Sequence, residues 1–420
     1  MGWMHRGLVA LAAVFAIALG STATTGQGRS LAEHPAIQYA TRPTADRVAR
    51  LSETLARNER SLSRDARTSY LLPVLEALGV PVDSQLLVFS KTGAQRAYTG
   101  PHTPRALYFD QSVAVGYAPG APAIEIAAHD PRQGVVFYAL DQNAATPALT
   151  RQTSCLACHV SASTLDVPGF ITRSHIVGDD GNVTAMPQFS SHDVDHHTPH
   201  PERWGGWFVT SENGAPPYSQ MGHEGNITFS ARGNTSNQVF VDWMNSDPEA
   251  RGYPLPSSDI VGLLVFEHQM HAINLITRLG WESRVVSPDG GVNETVRRVA
   301  AELADYLLFT DEAPPAAALT PRPGFARSLE SRVPKDRRGR SFAQLEVTSR
   351  LLRYPCSFMV YSEAFDALPP PAKTLVYRRM QDLLSGGAGY SARTTVTAAD
   401  RQAVREILEE TKPDFSTTLK

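Results

Sequence analysis

The chain has 420 residues, 42% of them hydrophobic and 19% charged, a composition that suits a folded globular protein with room for one large or two medium domains. A formal net charge of −3 leaves no basic surplus. That excludes a positive footprint for nucleic acid and polybasic attachment to a membrane surface.

At the N-terminus, His5 and Arg6 precede an apolar run over 7–19, followed by the small, polar stretch Gly20-Ser21-Thr22-Ala23. A basic start, an apolar middle and a small-residue end form a secretory signal peptide, predicted here over 1–23. The apolar run is shorter than the roughly 20 residues that span a bilayer, which leaves an uncleaved anchor as the weaker alternative. The mature chain is therefore expected in the periplasm or outside the cell.

Residues 31–80 read as helical, with Val48, Leu51, Leu55 and Leu62 near helical spacing and a second apolar segment ending at Gly79. From 85 to 142 the pattern changes to short apolar runs at 86–89, 106–109, 113–117, 123–126 and 135–138. Pro101, Pro104, Pro119-Gly120 and Pro131 punctuate them, as in an antiparallel sheet. Residues 160–240 are rich in loops, with an aromatic strand candidate at 204–209. Long irregular stretches of this kind often hold ligands.

Beyond 259 the chain reads as helices. The segment 259–278 is apolar nearly all round, which implies burial, and Glu267, His268, Gln269 and His271 interrupt it as they would not a membrane span. Asn293 is expected to cap a helix through Leu308, with Glu294 and Arg298 as an i,i+4 pair. A Pro/Ala stretch at 313–324 reads as a linker, followed by helices around 342–368, 372–384 and 399–410.

Three cysteines, Cys155, Cys158 and Cys356, are too few for a disulfide scaffold. Two lie in Cys155-Leu156-Ala157-Cys158-His159, the Cys-x-x-Cys-His pattern of c-type haem attachment. One helical turn presents two thiols at the separation of the porphyrin vinyl groups, and the next residue places an imidazole beneath the iron. Three alternatives stand beside haem: half of a zinc site completed by the histidine-rich segment, a thioredoxin-like redox pair, and a structural disulfide. Cys356, in an apolar run, reads as an inert core thiol.

The sixth iron position would separate an electron carrier from an enzyme. Candidates are His223 in the glycine-flanked Gly222-His223-Glu224-Gly225 loop, His268 on the apolar helix, Met186 before Pro187, and His196; an open position is the alternative. His192, His196, His197 and His200, with Asp193 and Asp195, offer donors for a second metal, although Pro199 and Pro201 prevent a helix that would align them and a solvated loop is the plainer reading. Arg203 is a candidate partner for a haem propionate.

Several runs, namely Leu87-Val88-Phe89-Ser90-Lys91-Thr92, Phe137-Tyr138-Ala139-Leu140-Asp141-Gln142, the Cys155–His159 motif, Arg203-Trp204-Gly205-Gly206-Trp207, His223-Glu224-Gly225-Asn226, Glu267-His268-Gln269 with Asn274-Leu275-Ile276-Thr277-Arg278, and Arg353-Tyr354-Pro355-Cys356, spread over nearly the whole mature chain. Together they resemble a family of exported bacterial single-haem cytochrome c-like proteins. The resemblance implies covalent haem and export, and names no substrate.

The expectation is an α+β protein with an antiparallel β-rich N-terminal half, a loop-wrapped haem c site and a mainly helical C-terminal half. Residues 24–312 would form the haem-binding region, and 325–420 a helical region packed on the same body. One haem c, held by Cys155, Cys158 and His159 with His223 as the leading second ligand, would transfer single electrons to a periplasmic redox partner. A peroxidase- or oxygenase-like haem enzyme with an open sixth position is the alternative.

Overall fold

A computed structural model describes residues 31–178, 180–183, 191–210, 247, 251–315, 318–387 and 396–417. The 1–23 segment expected to be a signal peptide, Met186 and His223 lie outside the described residues.

The N-terminal half is built on a seven-stranded antiparallel sheet. Its strands are β1 (Leu86–Val88), β2 (Arg105–Phe109), β3 (Val113–Tyr117), β4 (Ala123–Asp130), β5 (Gly134–Asp141), β6 (Leu149–Arg151) and, after a separate hairpin of β7 (Arg173–His175) and β8 (Ser191–Asp193), β9 (Trp207–Phe208). The sheet order is β6-β5-β4-β3-β2-β1-β9, a meander closed at one edge by a strand from far along the chain. Leu87 pairs with Phe208 there. Ser258 locks that edge, its hydroxyl accepting from Leu87 N and donating to Phe208 O.

Side chains alternate across the pleat, so both faces of the sheet are apolar. Ile124, Ile126 and Ala128 of β4 and Val136, Tyr138 and Leu140 of β5 face α1 (Arg47–Ala56) and α2 (Leu71–Leu78). Ala127, Val135 and Phe137 face the other way, toward the C-terminal helices. The five strand runs expected between 85 and 142 are all present. The sequence reading missed β6, whose Leu-Thr-Arg is too short and polar to show a period.

The long helix α4 (Ile260–Val286) lies buried over this second face. It is long and apolar enough to cross a membrane by length and composition, and in this fold nearly all of it is covered by protein. Asp259 caps it by accepting from Val261 N. It runs eight residues beyond the expected end at 278. Next, α5 (Glu294–Leu307) begins at Asn293, whose side chain accepts from Val296 N as expected. The expected Glu294–Arg298 pair is replaced by Arg298–Glu302 at 3.6 Å.

In the 313–324 stretch, Ala313 N donates to His196 O, Leu319 N to Val347 O and Arg322 N to Asp259 Oδ2, so it is tied to the body at three points, and α6 (Pro323–Glu330) begins within it. The helix expected at 342–368 is absent. Leu345 and Leu352 form an isolated bridge, Val347 takes a positive φ of 49°, and only a 3-10 turn at Phe358–Tyr361 and the short α7 (Glu363–Asp366) are helical before α8 (Pro370–Leu384). Pro355 and the polar Thr348-Ser349-Arg350 break what the apolar content suggested. The last long helix, α9 (Ala398–Thr411), falls where 399–410 was expected.

Candidate functional site

Strand β5 presents Phe137 on the face turned to α4, and the chain returns through β6 to a short turn carrying the cysteines. A single 3-10 turn, Thr153–Cys155, runs directly into α3 (Leu156–His159). Cys155 is half-buried and Cys158 exposed, and both are free thiols. Burial raises the Cys155 thiol above its ordinary pKa, with Glu125 adding to the effect. The third cysteine, Cys356, is fully buried and burial pushes its thiol well up, as suits an inert core residue.

The His159 ring lies 4.6 Å from that of Phe137, centroid to centroid. Its Nδ1 is 2.9 Å from the carbonyl oxygen of Gly169, and Gly169 N donates back to His159 O at 3.1 Å. A carbonyl only accepts, so Nδ1 carries the proton. Burial holds the ring below its ordinary pKa, hence neutral near pH 7, and Nε2 is then left with a bare lone pair. No described residue bonds that Nε2. Such an imidazole is the form that ligates a metal.

The Gly169 loop is anchored by α4. Asn274 Oδ1 accepts from Phe170 N at 2.9 Å and its Nδ2 donates to Phe170 O at 2.8 Å. A Cβ at Gly169 would stand 2.2 Å from Asn274 Oδ1, so only glycine allows this approach. Sequence reasoning gave Gly169 and Asn274 no role; Gly169 falls in the loop-rich 160–240 stretch, where nothing local shows what it touches.

The histidine-rich segment divides. His192 is exposed on β8, while His196 and His200 are buried. His200 packs against Trp204, and burial pulls its pKa down to about 3. His196 enters a pile of rings from α4 and α5. It stacks on Tyr306 at 4.0 Å, its Nδ1 lies 2.7 Å from His268 Nδ1, and its Nε2 lies 3.1 Å from His197 Nε2. His268 Nε2 in turn meets Ser357 Oγ at 2.7 Å, and His197 Nδ1 meets Asp195 Oδ2 at 3.2 Å.

Because the two nitrogens of His196 point to two different partners, the rings do not converge on one point. Among the described residues no group of three His, Cys, Asp or Glu side chains is arranged to hold a metal ion. At His196 and His200 the segment is buried and not the solvated loop expected.

Arg203 lies beneath the pile, 2% exposed, 3.1 Å from Glu267 Oε2 and donating to Thr198 O and His196 O. Burial pushes the Glu267 carboxyl up, and the guanidinium opposes that shift. Arg203 is thus spent in the core and does not serve as a surface anion partner. His268, fully buried, has both nitrogens in hydrogen bonds.

The charges acting on the Cys155–His159 turn come instead from Arg105, Glu125 and Arg173, of which Arg105 and Glu125 form an ion pair on the sheet face. Comparison of the chain with protein-family models, with curated proteins and with solved structures found no match.

Proposed function

We propose that the chain is an exported c-type cytochrome that holds one haem by thioether links from Cys155 and Cys158, takes His159 as an axial ligand, and passes single electrons to a periplasmic redox partner. One observation carries this reading. A neutral imidazole with its Nδ1–H committed to a backbone carbonyl and its Nε2 bare follows two free thiols on a single helical turn.

The donor set fits the group. Two uncommitted thiols three residues apart suit paired vinyl addition, and the adjacent ring is already in the ligating tautomer. Bound there, haem supplies a one-electron ferric/ferrous couple. The chain's own residues do the rest. Gly169 O fixes the proton on Nδ1, Phe137 braces the ring, and the half-buried Leu156 shields the inner side of the turn. Ala157 and Cys158 stay exposed, which leaves one edge of the site open to a partner.

For the second axial position, His196 and His268 are set aside because their ring nitrogens are engaged with each other and with His197 and Ser357. His223 and Met186, outside the described residues, remain the candidates.

The test is expression of the full chain in a host with haem-attachment machinery. The expected product is coloured, retains its haem after acid–acetone extraction, and gains the mass of one haem. Colourless protein without that mass gain, from a host that matures a control cytochrome c, would sink the reading. A low-spin ferric spectrum unmoved by cyanide supports the carrier; a high-spin spectrum that responds turns it to the enzyme alternative.

A further inference from the structure

We propose that Asn274 is a positioning residue for His159, acting through the peptide unit between Gly169 and Phe170. This rests on the reading that His159 ligates the haem iron. The Gly169 carbonyl and the Phe170 N–H belong to one planar amide, so whatever fixes the N–H also fixes the direction of the carbonyl.

His159 Nδ1–H donates to that carbonyl at 2.9 Å, and Asn274 Oδ1 takes the N–H of the same plane at 2.9 Å. The second Asn274 bond, from Nδ2 to Phe170 O at 2.8 Å, closes a two-point grip and prevents the amide from turning. The line runs Asn274 Oδ1, Phe170 N–H, Gly169 C=O, His159 Nδ1–H, with Nε2 at its far end.

Asn274 is 1% exposed on an otherwise apolar stretch of α4. A buried amide there needs partners, and the ones it has are both on Phe170. Hydrogen bonds in series polarise one another, so the grip makes the Gly169 carbonyl a stronger acceptor. A stronger acceptor draws on the Nδ1 proton and enriches Nε2 in electron density, which favours the ferric state of an iron bound there. Gly169 completes the device, since a Cβ at that residue would collide with Asn274 Oδ1 at 2.2 Å.

The variants are Asn274→Leu, which removes both bonds at similar volume, and Asn274→Asp, which keeps an acceptor for Phe170 N–H in either protonation state. The first readout uses haem-free full-length chain. Nitrogen-15 shifts should report His159 as the Nδ1–H tautomer in the wild type and in N274D, and a redistribution toward the Nε2–H form in N274L. The second uses haem-loaded chain, whose midpoint potential should rise in N274L and stay at or below the wild-type value in N274D.

An unchanged tautomer in N274L overturns the proposal, and so does an equal potential shift in both variants, which would mark a packing effect. Wild-type chain that takes up no haem overturns the cofactor reading and this proposal with it; haem-loaded N274L at the wild-type potential overturns this proposal alone. If N274L does not fold, Asn274→Ser, too short to reach Phe170 N–H, is judged by the same outcomes.

Discussion

Nδ1 of His196 lies 2.7 Å from Nδ1 of His268, so these two buried rings hold one proton between them. The ends of the chain of rings decide which ring owns it. His197 Nε2 faces Thr310 O at 3.1 Å and His197 Nδ1 faces Asp195 Oδ2, two acceptors, so both nitrogens of His197 carry protons. The single His197 Nε2–H is shared between Thr310 O and His196 Nε2, His196 donates from Nδ1 to His268, and His268 donates from Nε2 to Ser357 Oγ.

The electrostatics agree with that polarity. Burial lowers the pKa of His197, but the Asp195 carboxylate outweighs it and the net shift is upward. Burial raises Asp195, yet the His197 cation brings it down to about 2. Nitrogen-15 spectra of labelled protein near pH 6 should therefore show a His197 imidazolium beside a neutral His268 protonated on Nε2. Neutral His197 under those conditions would refute the assignment. Truncating His268 to Ala strands His196 Nδ1–H in the core and leaves Ser357 Oγ with Met359 N alone, at an expected cost of about 2–4 kcal/mol in denaturant unfolding.

Four buried histidines should weaken the fold in mild acid. Burial depresses His129 and His175 to about 4 and His200 and His268 to about 3. The unfolded chain binds protons at these residues below about pH 6.5, and the folded chain refuses them. Their contribution is therefore complete above about pH 6.5 and is lost as pH falls toward the folded values, by up to ~1.4 kcal/mol per pH unit for each residue. His197 works in the opposite sense: its contribution is present below about pH 6.5 and lost as pH rises through its raised pKa. Burial also raises Glu267 to about 8, Glu312 to about 7 and Asp259 to about 6, carboxyls whose contribution grows as pH falls, so the histidine part is read by difference. His129→Gln should lose less stability than the wild type below about pH 6.5, and an equal loss would contradict the burial of that ring.

Breaking the Arg203–Glu267 pair from one side should be severe. Arg203→Met leaves a buried carboxyl without its cation, the Thr198 carbonyl without its side-chain donor and the His196 carbonyl with Ala313 N alone. The expected loss is about 3–5 kcal/mol, against about 1 kcal/mol for Glu267→Gln, which retains an acceptor for the guanidinium. Urea unfolding of the two variants decides, and equal losses would show that the charge of Glu267 matters as much as its geometry.

Cys158→Ser changes an exposed thiol and should alter the stability of the haem-free chain by less than about 0.5 kcal/mol. Gly169→Ala, by contrast, forces a methyl group into Asn274 and should cost about 1–3 kcal/mol. Thermal unfolding compares them directly. After maturation, Cys158→Ser is expected to hold its haem by one link, read by mass.

The sheet was legible in the sequence because its strands are short apolar runs separated by prolines, and the Cys155–His159 turn because its spacing is local. The partnership of His196 with His268 was not, since 72 residues separate them and neither neighbourhood shows a period that points at the other. The same holds for Arg203, which the sequence offered as a candidate partner for a haem propionate. Only the packing of α4 against the loop at 194–205 reveals that its partner is Glu267. The helix expected at 342–368 failed for a different reason: apolar content signalled burial correctly, and burial does not require a helix.

The pairing of β1 with β9 has a consequence for how the chain comes to exist. Synthesis runs from the N-terminus, so Leu86–Val88 must wait with one flank bare until Trp207–Phe208 has been made. Throughout that interval the nascent meander offers an open row of amides to any neighbouring strand, and the Cys155–His159 turn is complete before the row is sealed. A protein cut short before residue 207 would keep that adhesive border for good, and self-association rather than a smaller working domain is what such a fragment should yield.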